Sequence, residues 1–144
     1  MSRSGGRAGS VDGVARIETI AQLRAALQAM TLLQPFEVRL AGPLAAGTAD
    51  RRLPIVLHLQ ADHADEVRHF FDARQIPTRM LETRLRFPRA PAQPLPGIGF
   101  LAGDQEFLIW IFSEAQFRQR LRVGDESEPS RRLTLAAVTR LLAD

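Results

Sequence analysis

Two strands and a glycine-containing turn are visible in residues 36–59, which read FEVRLAGPLAAGTADRRLPIVLHL. Apolar and charged residues alternate over residues 36–40, a pattern typical of a strand with one buried face. Residues 54–59 are almost continuously apolar, so they predict a central strand covered on both faces. The turn between the strands carries Gly42 and Gly47, and glycine readily adopts the positive φ values that turns require.

Apolar periodicity on either side of this unit predicts the remaining elements. We expect a helix over residues 14–30, a helix over 62–75 capped by Asp62, a strand over 78–87, and a hairpin of 99–101 and 105–112. Prolines in residues 88–97 predict a stiff loop. The spacing Ser113-x-x-Gln116 predicts a capped helix to about residue 122, and Ser130 is expected to cap a last helix. The predicted order is α-β-β-α-β-β-β-α-α: an α+β fold with a single mixed β-sheet flanked by helices.

Length and composition indicate one domain. The 144 residues are 45% hydrophobic and 24% charged, which is an ordinary globular mixture. Residues 1–13 are rich in glycine, serine and arginine and predict a flexible N-terminal tail, followed by a single domain over residues 14–144. The N-terminus lacks the apolar segment of a secretory signal, and no apolar run is long enough for a membrane helix. We therefore expect a cytoplasmic protein without membrane contact.

Composition also excludes several kinds of chemistry. The chain has no cysteine, so disulfide scaffolds, thiolate metal sites and cysteine catalysis are excluded. The sequence pI is about 11.1, although the formal net charge is only +3. The pI is high because lysine and tyrosine are also absent, so few groups lose a proton between neutral pH and the pKa of arginine. Residues 74–89 are the most basic stretch, but Phe87 is the only aromatic residue within it. Nucleic acid is therefore not an expected partner.

The turn resembles a motif of a known family. Residues 42–50, GPLAAGTAD, are similar to the Gly-Ser-x-Ala-x-Gly-x-Ala turn of the nucleotidyltransferase-fold superfamily, which includes the minimal and aminoglycoside nucleotidyltransferases. Gly42 and Gly47 match that turn, and Pro43 replaces its serine. The order of elements over residues 14–120 is also similar. The resemblance implies that the turn once cradled a triphosphate and that two acids on the next strand once held metal ions.

Those two acids are missing from this chain, where Pro54 and Val56 occupy their positions. Nucleotidyl transfer needs divalent cations, and hard cations need oxygen ligands, which proline and valine side chains lack. The resemblance therefore implies a degenerate, non-catalytic member that acts as a binding or interaction module, with no catalytic residue and no cofactor.

Two alternatives stay open. One is an active nucleotidyltransferase that uses Mg²⁺ and recruits the atypical acids Asp50, Glu82 and Glu106. The other is an unrelated α+β protein that binds a partner and has no nucleotide site. The expected partners are accordingly a nucleotide or another anionic ligand, a protein, or a second copy of the chain.

Two further groups of side chains are candidate sites. Arg84 and Arg86 share one face of their strand, and with Gly42 and Gly47 they are the candidates for a relict nucleotide- or anion-binding site. A weaker candidate metal site is formed by His63, Glu66 and His69, which follow one another at helical spacing. Their spacing matches no established metal motif, so a solvated helix face is favoured and no metal is expected.

Three expectations concern the interior. The strand of residues 105–112 is apolar on both sides, so helices or a partner must cover Trp110 and its neighbours. His58 lies inside an apolar strand and is expected to be a hydrogen-bonded core or edge residue rather than a metal ligand. Arg132 and the other arginines near it are expected to pair with the acids of residues 125–128.

Overall fold

The computed structural model describes residues 2–119, 121–124 and 131–143, which form five helices and six strands. In chain order these are α1 (Ser2–Leu32), β1 (Glu37–Ala41), α2 (Gly42–Ala45), β2 (Ile55–Gln60), α3 (Ala64–Ala73), β3 (Arg79–Phe87), β4 (Ala90–Ala102), β5 (Gln105–Phe112), α4 (Glu114–Arg118), β6 (Arg122–Val123) and α5 (Leu135–Ala143). The predicted α+β class with one mixed sheet is confirmed. The order of elements differs from the predicted one by the additional α2 and β6.

The six strands form one sheet in the order β1-β2-β5-β4-β3-β6. Strands β2 and β5 are parallel, with Ile55 beside Phe107, and every other pair is antiparallel. Because side chains alternate along a strand, the sheet has two faces. We call the face that carries Ile55 and Phe107 the first face, and the face that carries Val56 and Trp110 the second face.

The main core lies on the first face. Helices α1 and α5 pack on each other and on β1, and α3 packs on β4. Alternate residues of β2 and β5 point into this core and are fully or nearly fully buried: Ile55, Leu57, Leu59, Phe107, Ile109 and Ile111. Phe71 of α3 joins them, and its ring is tilted against that of Phe100 of β4, with ring centroids 4.8 Å apart. This burial explains why residues 55, 57 and 59 of β2 are apolar.

The second face carries a smaller core that α4 covers in part. Phe117 of α4 packs on Phe112, with ring centroids 6.3 Å apart, and both belong to a buried cluster with Leu85, Leu95 and Val123. Helix α4 begins at the predicted capping box: the Ser113 hydroxyl accepts from the backbone N–H of Gln116 at 3.3 Å. The carboxamide oxygen of Gln116 accepts from the N–H of Ser113 at 2.9 Å.

The proline-rich segment forms a strand, so the predicted loop over residues 88–97 is wrong. Strand β4 starts at Ala90 and pairs with β3 along this segment, placing Pro94 opposite Arg84 and Pro96 opposite Glu82. On its other side, β4 pairs with β5 only from Gly97 onward. Prolines are tolerated at such an edge because no ladder partner there needs their missing N–H group.

Several helix limits also differ from the predicted ones. Helix α1 begins at Ser2 rather than at residue 14; the flexibility expected for residues 1–13 stays a prediction. Helix α3 is capped by His63 rather than Asp62, and α4 ends at Arg118 because the chain then leaves to pair as β6 with β3.

The last helix, α5, begins at a threonine cap. The Thr134 hydroxyl accepts from the N–H of Ala137 at 3.1 Å and so caps the start of α5. The expected cap Ser130 and the acids of residues 125–128 lie outside the described residues. Within the described ranges, we find no helix with the length and apolar character needed to cross a membrane.

Candidate functional site

The glycine turn lies directly against β2. Gly42 follows β1 with a φ of 67° and opens the single-turn helix α2, and Gly47 follows that helix with a φ of 97°. A Cβ atom at residue 42 would stand 2.8 Å from Cβ and Cγ2 of Val56, whereas one at residue 47 would meet nothing within 4 Å. The close approach of the turn to β2 thus requires glycine at position 42, both for its φ and for the space that Val56 fills.

One carboxylate lies near the two positions where the resembling family carries its acids. Val56 is on β2, and Pro54 directly precedes that strand. Phe107 pairs with Ile55, so Glu106 lies one step earlier, beside Pro54 and on the same face as Val56. The Glu106 carboxylate accepts a hydrogen bond from the Arg79 guanidinium and forms an ion pair with it.

The other two atypical acids lie elsewhere. Asp50 precedes β2 in a loop, and the guanidinium and N–H of Arg52 both donate to its carboxylate, which holds the pKa of Asp50 below its usual value. Glu82 is on the first face of β3, with β4 between it and Glu106 on the second face of β5. Asp50, Glu82 and Glu106 are therefore not brought together, and the described residues contain no group of three acids or histidines able to hold a metal ion.

The structure separates the four predicted nucleotide- or anion-binding residues into two places. Gly42 and Gly47 follow β1, whereas Arg84 and Arg86 are on β3, with β2, β5 and β4 in between. The two arginines help to line a shallow cavity of about 320 Å³ together with Glu82, Thr83, Pro94 and Gly124. The Arg86 guanidinium also donates to the backbone oxygen of Gly124. An anion-binding role for either place stays a prediction.

The weak metal candidates are the cap and outer surface of α3. Glu66 accepts from the backbone N–H of His63 at 3.0 Å, and this contact fixes the start of the helix. His63, Glu66 and His69 are all exposed. Their place on the helix agrees with the solvated face that the sequence favoured.

His58 is a buried residue on the second face, only 1% exposed. Arg132, which precedes α5, donates from Nε to His58 Nδ1 at 2.9 Å, so the neutral ring carries its proton on Nε2. Among the described residues, Nε2 has no hydrogen-bond partner. Burial, and secondarily the charge of Arg132, lowers the pKa of His58 to about 3. The expected hydrogen bond is confirmed, and the ring is held neutral at ordinary pH.

Arg132 also joins the second face of the sheet to α4. Its guanidinium lies over the rings of Phe112 and Phe117, 5.1 Å and 4.8 Å from their centroids, and donates to the backbone oxygen of Phe117. The expected pairing of Arg132 with the acids of residues 125–128 involves residues outside the described ranges and stays a prediction. Arg118 pairs with Glu114 on its own helix at 2.6 Å.

An apolar surface occupies the second face beside Glu106, and we call it the Trp110 surface. It is formed by Val56, Leu81, Leu101, Leu108 and Trp110 around the glycine floor of Gly97 and Gly99. Val56, Leu81, Leu108 and Trp110 are half-buried, and Leu101 is 64% exposed. Trp110 leans over Gly97, while Arg79 and Leu81 lean over Gly99 from the other side. A neighbouring cavity of about 370 Å³ is lined by Arg79, Gly99, Leu101 and Glu106 with Pro77, Thr78 and Phe100.

Sequence reasoning missed Gln22, which joins three separate segments. This glutamine of α1 is 4% exposed, and its carboxamide bonds both the N–H and the carbonyl of Asp50, at 3.2 Å and 3.1 Å. Its nitrogen also donates to Gln105 Oε1 at 3.2 Å. The one available signal was a polar residue within the apolar stripe of a predicted helix.

No family model matches this chain, and no curated protein or solved structure matches it either. The resemblance to the nucleotidyltransferase superfamily therefore depends on the turn sequence and the predicted order of elements, and it stays a prediction.

Proposed function

We propose that this protein is a non-catalytic, nucleotidyltransferase-like interaction module that binds a partner protein through the Trp110 surface. The observation that carries the proposal is the contact between Gly42 and Val56. In the resembling family, the glycine turn faces a metal-binding acid, and here it faces an aliphatic side chain.

The chemistry of the site supports binding over catalysis. Two bound cations require several oxygen ligands. The β2–β5 register places the Glu106 carboxylate beside Pro54 and Val56, and the described residues contain no group of three acids or histidines able to hold a metal ion. That carboxylate is already neutralised by Arg79. A triphosphate at this position would meet an apolar floor and would lack the cations that its charge requires.

The composition of the Trp110 surface supports a protein as the ligand. Aromatic and aliphatic side chains in the centre and charged residues at the margin are typical of protein interfaces, and tryptophan is common among the residues that dominate binding energy. Here Trp110 and Leu108 lie in the centre, and the Arg79–Glu106 ion pair lies at the margin. A nucleotide would need donors for its phosphates, which the centre lacks.

Nucleotide binding is the first test. Calorimetric titration with ATP, with and without Mg²⁺, should show no metal-dependent binding, and incubation should show no turnover. Tight Mg²⁺-dependent binding with turnover would contradict the proposal. Metal-independent binding that Gly42→Val abolishes would indicate a relict pocket, and the absence of any binding would agree both with the proposed protein-binding module and with the unrelated partner-binding fold.

Partner binding is tested with a matched pair of exposed apolar residues. Leu101 belongs to the Trp110 surface and is 64% exposed, and Ile17 of α1 is 69% exposed and lies outside it. Leu101→Glu should reduce affinity for a purified, identified partner by at least about tenfold, as loss of a central contact does. Ile17→Glu should leave the affinity unchanged. Equal effects of the two substitutions would count against this surface.

A further inference from the structure

Along one edge of the sheet, the described residues leave the outer side of five residues of β3 without a paired strand. Strand β3 runs from Arg79 to Phe87, but on its outer side β6 pairs only with Leu85 and Arg86, and the N–H of Gly124 bonds the carbonyl of Arg84 at 2.7 Å. Among the described residues, no strand pairs with the outer side of residues 79–83. Met80 in this stretch is 49% exposed. Backbone groups along such an edge are able to pair with another strand.

We propose that a second copy of this chain pairs with this edge, with the two β3 strands antiparallel about a twofold axis through Leu81. Leu81 is the midpoint of residues 79–83, so this register pairs all five open residues with their counterparts. It places Leu81 opposite Leu81, Met80 opposite Glu82, and Arg79 opposite Thr83. The inference goes beyond the proposed function, because it concerns an edge rather than the Trp110 surface.

Charge selects this register over its neighbours. A shift of the axis to Glu82 would place two carboxylates directly opposite each other, which destabilises a strand pair. A shift of the axis to Thr83 would place Leu81 opposite Leu85, but the outer side of Leu85 is already paired with Val123 of β6. A shift to Met80 would pair Thr83 with Pro77, which lies before the strand and has no N–H to donate.

The register also joins two apolar surfaces. A twofold axis perpendicular to the sheet keeps the second faces of both copies on the same side. Leu81 lies on this face, where its Cδ1 is near Gly99. Pairing at Leu81 would therefore make the two Trp110 surfaces continuous, which supports a second copy over an unrelated strand as the occupant. Self-complementary contact of this kind is the rule in twofold dimers.

The absence of cysteine makes the test direct. In Leu81→Cys, the two introduced thiols would face each other across the axis. Cα atoms of opposite residues in antiparallel strands are about 4.5–5.5 Å apart, within the range that a disulfide spans. Mild oxidation should convert most of the protein to a covalent dimer. Leu101→Cys is the matched control on the exposed part of β4 and should stay mostly monomeric.

Sedimentation of the wild-type chain gives an independent measurement. We expect a reversible monomer–dimer equilibrium. Leu81→Glu should shift it strongly toward the monomer, because two carboxylates would then lie directly opposite each other, whereas Glu82→Arg, whose side chain lies opposite Met80, should shift it less. A wild-type chain that stays monomeric at all accessible concentrations would overturn the proposal. So would equal cross-linking of Leu81→Cys and Leu101→Cys. Loss of partner binding in Leu101→Glu with an intact dimer would separate the two proposals.

Discussion

The indole of Trp110 covers the backbone of Gly97, its partner across the β4–β5 pair, so closely that a Cβ at residue 97 would overlap ring atoms Cε3 and Cζ3. Glycine at this position therefore sets where the only tryptophan of the chain lies. The same contact holds the indole in place at the centre of the Trp110 surface. Substitutions at residues 97 and 110 measure how much the contact contributes to the free energy of unfolding.

Gly97→Ala should destabilise the protein by about 1–3 kcal/mol, because the added methyl group forces the indole away from β4. Urea unfolding followed by circular dichroism measures the change, and the tryptophan emission of the folded variant should shift. In a Trp110→Ala background the same substitution should cost much less. Equal costs in both backgrounds would show that the ring does not constrain residue 97.

Gly42→Ala should destabilise the chain by about 1–3 kcal/mol through its positive φ and its contact with Val56. Gly47→Ala is the matched control, since residue 47 has a positive φ of 97° but open space around it. The difference between the two losses, measured by chemical unfolding, reports the contact with Val56. If the two substitutions lower the free energy of unfolding equally, the close contact between residue 42 and Val56 does not limit what residue 42 can be.

Acid should destabilise this protein through His58. The folded pKa of about 3 lies below the ordinary value of 6.5, so the unfolded chain takes up the proton first as pH falls. The contribution of the neutral His58 ring to the free energy of unfolding is fully present above pH 6.5. It is lost as the pH falls toward 3, by up to about 1.4 kcal/mol for each pH unit.

Replacement of His58 isolates this contribution from that of the carboxylates. His58→Leu should flatten the fall of unfolding free energy between pH 6 and pH 4 relative to wild type, whatever its effect at pH 7. His69→Gln, at an exposed position, should keep the wild-type slope. A His58→Leu profile parallel to that of wild type would mean that the ring takes up a proton in the folded state.

Gln22→Leu should destabilise the protein by about 1–3 kcal/mol, because the partly buried N–H and carbonyl of Asp50 would lose their side-chain partner. Gln28→Leu, on an exposed position of the same helix, should change the stability little. Thermal and urea unfolding of both variants check the difference. Similar results for the two would leave Gln22 without a structural role.

Local signals in the sequence predicted much of the fold. The Ser113–Gln116 capping box depends on residues three apart, and the hairpin of β4 and β5 turns at Gly103 with a φ of 65°, so both could be found from neighbouring residues. The alternation and continuity of apolar residues likewise predicted β1 and β2.

The features that the sequence did not predict concern residues whose partners are distant in the chain. The prediction of a loop at Pro94 is wrong, because its place on a β4 edge that β5 does not reach makes proline compatible with a strand. Arg132 bonds His58, 74 positions away, and Gln22 bonds Gln105, 83 positions away. A sequence shows which residues are neighbours in the chain, and it does not show tertiary contacts of this kind.

The prolines of β4 have a consequence for how the chain behaves when it is concentrated. Pro91, Pro94 and Pro96 interrupt the row of N–H donors on the margin of β4 that β5 leaves uncovered. On the far side of the sheet, Leu133 bonds Leu40 in both directions at 2.8 Å and blocks the margin of β1. Both features reduce the number of free backbone groups with which a strand of another molecule could pair at these margins, which should lower the tendency to form fibrils.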